Sequence, residues 1–121
     1  MTAVSLYDRL GGAKGIALIV DDVMAAHLRN PVVSPRFENI KDLDHAKKLA
    51  REFFCAGCGG PETYTGRDMI TAHRGMNISE QEYLAAMDDI VAALAKNKIG
   101  DDAVKDVIAV LFSLKGQIIR V

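Results

Sequence analysis

Apolar residues recur along this chain at the spacing of amphipathic helices. The clearest run lies between residues 16 and 28, where apolar positions follow one another in steps of three and four before Asn30 and Pro31 interrupt the pattern. Since an α-helix has about 3.6 residues per turn, these positions share one face, and the pattern predicts a buried stripe. Its members are Ile16, Ile19, Val20, Val23, Met24, His27 and Leu28.

Three more long helices are predicted from the same spacing and from residues that commonly begin helices. Asp42 precedes a run whose inner face is small at first and aromatic later, and Ser79 with Glu82 has the sequence of a capping box. Asp101 or Asp102 is predicted to cap the last helix. The three inner faces comprise Ala46, Leu49, Ala50, Phe53, Phe54 and Gly57; Tyr83, Met87, Ile90, Val91 and Leu94; and Val104, Val107, Ile108, Leu111, Phe112 and Ile118.

The stretch of residues 53–76 joins two helical segments through a break. Residues 59–61 read Gly-Gly-Pro, and a proline cannot continue a helical hydrogen-bond ladder. A short helix is predicted beyond the break, with Met69, Ile70 and His73 on one face. A lone histidine on an apolar face is most often a core residue, although a neutral imidazole is also a common metal ligand.

Signals for β-strands are nearly absent, because no sustained alternation of apolar and polar residues is present. A short helix is expected after Ser5, and Gly11 and Gly12 end it. Four long helices and two or three short ones predict an all-α fold, and residues 1–121 are expected to form a single domain.

Composition and charge narrow the function classes. The chain has 121 residues, 50% of them hydrophobic, with a formal net charge of −1. Without a block of like charges, neither a nucleic acid nor an anionic membrane surface is an expected partner. We find no export signal and no apolar run long enough to span a bilayer, so a cytoplasmic location is expected.

Cys55 and Cys58 form a C-x-x-C pair. Attachment of a c-type haem requires a histidine directly after the second cysteine, where Gly59 stands, and a zinc site requires two more ligands at a recognisable spacing. Two small buried thiols on a helix are the simplest interpretation, and a redox-responsive disulfide stays an alternative.

Four segments carry a resemblance to a known family. They read SLYDRLGG at residues 5–12, NPVVSPRF at 30–37, GGPETYTGRDM at 59–69 and AHRGMNIS at 72–79. The chain resembles the truncated, two-over-two haemoglobins, and within them the first group. The resemblance implies a globin-like sandwich of helices that encloses one haem b.

The resemblance also implies roles for particular side chains. His73 matches the proximal ligand of the haem iron, and Phe37 matches the aromatic residue that packs on the haem face. The aromatic half of the helix face that begins at Ala46 gives a separate expectation: Phe53, with Phe54, lines the edge of the same pocket, or the two rings pack against a neighbouring helix. The haem edge is expected to be contacted by Tyr64, Arg67 and Met69, and by Lys47 or Lys48.

The distal side departs from the family pattern. Members commonly carry a tyrosine on the second helix and glutamine or histidine on the distal helix, whereas this chain has Met24, Ala46, Leu49 and Ala50 at the matching positions. None of these side chains donates a hydrogen bond. Because such donors stabilise bound oxygen by roughly 1.5–3 kcal/mol, their loss is expected to raise oxygen dissociation by about one to two decades and to favour carbon monoxide or nitric oxide.

The sixth coordination position leaves two alternatives open. The resemblance implies a loop before the distal helix that is one residue longer than in relatives, so a small rotation of that helix would aim His45 at the iron. Met24 is a second candidate, as a thioether ligand. His27, one turn beyond Met24, is expected to be peripheral.

The leading functional hypothesis is a monomer or weak dimer that reversibly binds oxygen, carbon monoxide or nitric oxide at a five-coordinate iron, for transport, sensing or detoxification. Nitric oxide dioxygenation, with a reductase as partner, is an enzymatic alternative. Electron transfer or redox sensing at a six-coordinate haem is the third hypothesis.

Overall fold

Six α-helices make up the fold in a computed structural model that describes residues 5–38 and 40–121. Residues 1–4, on which the expected lack of an export signal partly rests, and Asn39 lie outside this description. Short 3-10 turns follow the second and sixth helices. The helices are α1 (Leu6–Arg9), α2 (Gly12–Arg29), α3 (Leu43–Gly57), α4 (Met69–His73), α5 (Glu80–Lys96) and α6 (Asp101–Leu114), and the 3-10 turns are Ser34–Arg36 and Lys115–Gln117.

The predicted all-α class is confirmed. In the described ranges, the only extended pairing is an isolated bridge between Ile78 and Ile119. None of the described helices is both long enough and apolar enough to cross a bilayer. The segments 75–78 and 119–121 are held together by two further backbone bonds, from Gly75 N to the Val121 oxygen at 3.2 Å and from Arg120 N to the Ile78 oxygen at 3.0 Å.

The core lies where α2 crosses its neighbours. α2 packs against both α3 and α5, while α1 contacts α2 and α6, and α5 contacts α6. The apolar stripe of α2 is therefore covered on two sides. The side chains with essentially no exposed surface are Leu10, Ile16, Ile19, Val20, Leu94 and Val107.

Most predicted helix starts are confirmed, and one is wrong. Ser5, Asp42 and Ser79 each accept a hydrogen bond from a backbone N–H of the first turn, and Ser79 with Glu82 completes the capping box. The last helix begins at Asp101 with Gly100 as its N-cap, so neither Asp101 nor Asp102 caps it. Both carboxylates lie instead in the first turn, where the helix dipole favours negative charge.

Some residues predicted to face inward are exposed. Leu28 is 45% exposed, Phe112 is 50% exposed and Ile70 is 37% exposed. Gly57, at the end of α3, is exposed as well. Periodicity identifies one face of a helix, but the neighbouring helices cover only part of that face.

Two leucines of α5 test the core directly. Leu94 has no exposed surface, whereas Leu84 is 51% exposed. We expect Leu94→Ala to lower the free energy of unfolding by about 2–5 kcal/mol, because it leaves a cavity between packed helices. Urea denaturation measures this change. Leu84→Ala is the matched control and is expected to stay within about 0.5 kcal/mol of the parent protein; equal losses in the two variants would contradict the described core.

Candidate functional site

His73 is the last residue of α4, a helix of five residues. Asp68 caps α4 by accepting a hydrogen bond from Thr71 N at 3.3 Å, and the chain turns away after His73 through Gly75 at φ +83°. The ring atom Nδ1 lies 2.9 Å from the carbonyl oxygen of Met69. Since a carbonyl only accepts, Nδ1 carries the hydrogen and donates it, which leaves the lone pair on Nε2. That tautomer is the one a metal-ligating histidine uses.

His73 lines an apolar cavity of about 260 Å³. The cavity lies beside α4 and is bounded by α5, by α6 and by the corner that follows α2. The hydroxyl of Tyr83, one of its few polar groups, donates to the carbonyl of Leu111. The lining residues are His27, Val33, Arg36, Phe37, Phe53, Met69, His73, Met76, Ile78, Glu82, Tyr83, Ala86, Met87, Ile90, Leu111, Leu114 and Ile118.

Four of the predicted site residues meet around this cavity. They come from three segments of the chain, and all four line the cavity: Phe37, Phe53, and the two ends of α4, Met69 and His73. Each is partly rather than fully buried. These are the residues expected to contact a flat cofactor and its metal.

The predicted edge residues other than Met69 lie outside the lining. Tyr64 packs edge-on against the Phe53 ring at a centroid distance of 5.3 Å and donates its hydroxyl to the carbonyl of Arg67 at 2.6 Å. Arg67 itself is exposed. Lys47 reaches α2, where its Nζ lies 3.7 Å from Asp21. The sequence pattern carries no information about which way these long side chains turn.

The four apolar residues predicted for the distal side do not line the cavity either. Met24 is 5% exposed and Ala50 packs against the main core, while Ala46 and Leu49 are half-buried. His45 is exposed in the first turn of α3, where its backbone N–H donates to Asp42 Oδ1 at 3.0 Å. His45 is not among the residues that line the cavity of His73.

His27 is the main residue that sequence reasoning placed wrongly. It was expected to be peripheral, but it is 8% exposed and lines the cavity. Its Nδ1 lies 2.7 Å from Asp89 Oδ2, and its ring stacks on Phe37 at a centroid distance of 5.6 Å. The position of His27 within the apolar stripe of α2 was the one available signal, because Asp89 is remote in sequence.

An ion pair fixes the corner that carries Phe37. Arg36 Nε lies 2.6 Å from Glu82 Oε2, and its NH2 group lies 2.9 Å from Oε1. The hydrogen bonds from Arg36 hold the pKa of the Glu82 carboxyl at about 2, and the backbone N–H of Ser79 contributes to the same shift. The contact joins the corner after α2 to the first turn of α5.

Replacing Glu82 by glutamine tests this ion pair. A carboxyl with a lowered pKa stabilises the fold above its unfolded-state pKa, and that stabilisation is lost as the pH falls through the folded-state value. We expect Glu82→Gln to lower the free energy of unfolding at pH 7 by about 1–3 kcal/mol, with a difference from the parent that shrinks between about pH 5 and pH 2.

Urea denaturation at a series of pH values measures the effect, and Glu80→Gln is the matched control. Glu80 pairs with Lys115 at 2.9 Å on the surface, with its side chain 69% exposed. Its replacement is expected to change stability much less. An identical pH dependence for the two variants would argue against the ion pair.

The two cysteines lie away from the cavity. Both are buried and free, as the simplest interpretation of the C-x-x-C pair predicted. Burial, together with a hydrogen bond to the nearby Glu62 carboxyl and the charge of that carboxyl, raises the pKa of the Cys55 thiol to about 12. Burial also raises the pKa of Cys58. Because the thiolate is the reactive form, this surrounding disfavours thiol chemistry in the folded protein.

We expect Cys55 to be nearly inert towards thiol reagents in the folded protein. At pH 8 its thiolate fraction is on the order of 10³ lower than that of a free cysteine, and the rate with an aromatic disulfide reagent should fall accordingly. The measurement uses the Cys58→Ser variant, so that the observed reaction rate is that of Cys55 alone. Unfolding in urea should restore the ordinary rate, whereas fast reaction before unfolding would show that the thiol is accessible and activated.

Comparisons with known proteins agree with this geometry. The family model of the bacterial-like globins matches residues 5–120. The group 1 truncated hemoglobin of Tetrahymena pyriformis is 28% identical over 107 residues, covering 88% of each chain, and GlbN of Synechocystis is 29% identical over 112 residues, again with 88% of each chain covered. The crystal structure of the Tetrahymena pyriformis protein in its Fe(III) form superposes with a TM-score of 0.93, at 25% identity, over 98% of this chain and 100% of that one.

The chain therefore belongs to the bacterial-like globins, and within them to the group 1 truncated haemoglobins. Haem is its cofactor. The cavity fits such a group, because its walls are apolar and because His73, whose Nδ1 hydrogen bond to Met69 leaves the lone pair on Nε2, is among the residues that line it.

Proposed function

We propose that the chain carries one haem b and binds a diatomic gas, oxygen, carbon monoxide or nitric oxide, reversibly at a five-coordinate iron. The observation that carries the proposal is the orientation of His73, whose Nδ1 donates to Met69 while its ring lines the apolar cavity. The haem supplies an iron with one coordination position for the gas. The side chains around the iron determine its coordination and its preference among these gases.

His73 is proposed to hold the iron through Nε2. Its Nδ1 hydrogen bond keeps the ring from rotating and keeps the proton off the coordinating nitrogen. Phe37 and Phe53 are proposed to pack on the porphyrin and to exclude water, with Met69 filling the remaining space. Tyr64 contributes indirectly, since its ring supports Phe53 from behind.

The side opposite His73 is proposed to be poor in hydrogen-bond donors. Met24, Ala46, Leu49 and Ala50 occupy the places where relatives of this family commonly have donors. An apolar ligand side binds carbon monoxide and nitric oxide with less penalty than oxygen, which depends more strongly on donated hydrogen bonds. The exposed position of His45 and the burial of Met24 outside the cavity lining support five-coordination over ligation by either side chain.

Removal of the proximal imidazole tests the proposal. The protein is expressed with haem supplied and examined by absorption spectroscopy, where the parent should show a Soret band and a shift on addition of carbon monoxide to the ferrous form. His73→Gly is expected to lose most of its haem during purification, and added imidazole should restore part of the retention by replacing the missing ligand.

His45→Gly is the matched control, because His45 is an exposed histidine of a neighbouring helix. It should retain haem and the five-coordinate spectrum. Sharp low-spin bands in the ferrous parent protein that vanish in His45→Gly would contradict the proposed coordination. A His73→Gly protein with normal haem content would contradict the assigned ligand.

A further inference from the structure

Asp89 of α5 is the centre of a small polar network beside the cavity. Its Oδ2 lies 2.7 Å from Nδ1 of His27, and the two side chains are only 14% and 11% exposed. The amide nitrogen of Asn30 lies 3.2 Å from each oxygen of the same carboxylate. Because a carboxylate only accepts hydrogen bonds, His27 and Asn30 are the donors. One carboxylate therefore holds two residues at the end of α2.

The ring of His27 lies against Phe37. The two rings stack with a centroid distance of 5.6 Å and an interplanar angle of 24°, and both of them line the cavity. An imidazole without a partner can turn about its side-chain bonds, whereas the hydrogen bond to Asp89 favours one orientation of the ring. The His27 ring is thus a fixed wall for one face of Phe37.

Asn30 connects the same carboxylate to the backbone of the corner, which comprises residues 30–37. Its side-chain oxygen accepts a hydrogen bond from Val32 N at 3.0 Å, and its carbonyl oxygen accepts one from Ser34 N at 2.7 Å. Phe37 N in turn donates to the Ser34 oxygen at 2.9 Å. The backbone that leads to Phe37 is therefore anchored to α5 through the side chain of Asn30.

A second carboxylate of α5 holds the other end of the corner. Glu82 binds Arg36 through contacts of 2.6 Å and 2.9 Å, and Arg36 directly precedes Phe37. Residues that are seven positions apart, such as Glu82 and Asp89, share one face of an α-helix and lie about 10 Å apart along its axis. Two carboxylates on one face of α5 thus set the position of the segment that ends in Phe37.

We propose that Asp89 is a positioning residue of the haem pocket, which fixes the orientation of Phe37 through His27 and Asn30 and thereby how firmly the pocket holds the porphyrin. The inference rests on the proposed function, in which Phe37 packs on the haem. Asp89 is not among the residues that line the cavity, so it acts on the cofactor through its two partners.

Transfer of haem to an acceptor measures how firmly the pocket holds it. The ferric protein is mixed with an excess of apomyoglobin, and the change of the Soret band gives the rate of haem release. Asp89→Ala is expected to release haem about tenfold faster than the parent, because it removes the charge-assisted hydrogen bonds behind Phe37. Asp88→Ala, at an exposed neighbouring position of α5, is the matched control and should stay within about twofold of the parent.

Nuclear magnetic resonance of the ferrous carbon monoxide form separates positioning from general stability. In the parent, nuclear Overhauser contacts between the Phe37 ring and the haem should correspond to one orientation of the ring. Asp89→Ala should weaken these contacts or split them into two sets. Leu94→Ala is the reference, because Leu94 belongs to the main core and does not line the cavity. It should lose stability and keep the Phe37 contacts of the parent.

Asn30→Ala is a second variant, to be used if Asp89→Ala does not fold. It removes one of the two partners of the carboxylate and is expected to speed haem release by about threefold. Unchanged release in Asn30→Ala would count against the inference in the same way as unchanged release in Asp89→Ala.

The inference would be overturned by Asp89→Ala with either the haem release or the Phe37 contacts of the parent. Equal changes in Asp89→Ala and Leu94→Ala would overturn it as well, since Asp89 would then contribute only to stability. A parent protein that retains no haem, or whose Phe37 ring makes no contact with the haem, would instead refute the proposed function. The two failures are therefore distinguishable.

Discussion

One hydrogen bond within α4, from His73 Nδ1 to the Met69 carbonyl, orients the imidazole on which the haem pocket depends. The bond spans a single helical turn, so it forms as soon as α4 forms. It fixes the nitrogen that can bind a metal and the direction in which that nitrogen points. An apolar cavity lined by aromatic residues can accommodate a porphyrin, but it holds the iron only if a ligand nitrogen is available. The orientation of His73 makes that nitrogen available.

The helices could be predicted from the sequence because their signals are local. Ser79 and Glu82 define the start of α5 within one turn, and residues 59–61 force a break whatever surrounds them. The one wrong start has a local cause too, since Asp101 and Asp102 are favoured both as caps and in a first turn. Local preference decides between these two roles only weakly.

The pocket was predictable only in part, because much of it is made by contacts between remote residues. His73 and Phe37 were identified through the family resemblance, and the structure places both on one cavity. The role of His27 depends on Asp89, which lies on another helix, and the corner beside Phe37 depends on an ion pair between Arg36 and Glu82. No periodicity in one segment reveals a partner that lies in another.

The pairing of segments 75–78 and 119–121 has a consequence for how the haem is kept. The loop behind His73 takes its backbone partners from residues far along the chain: Gly75 N donates to the Val121 oxygen, and the Ile78 oxygen accepts from Arg120 N. Loss of these bonds would release the loop from residues 119–121, while Asp68 would still cap the other end of α4. Since the seam holds one end of the five-residue helix that carries His73, retention of the haem is expected to depend on residues 119–121 as well as on the residues that line the pocket.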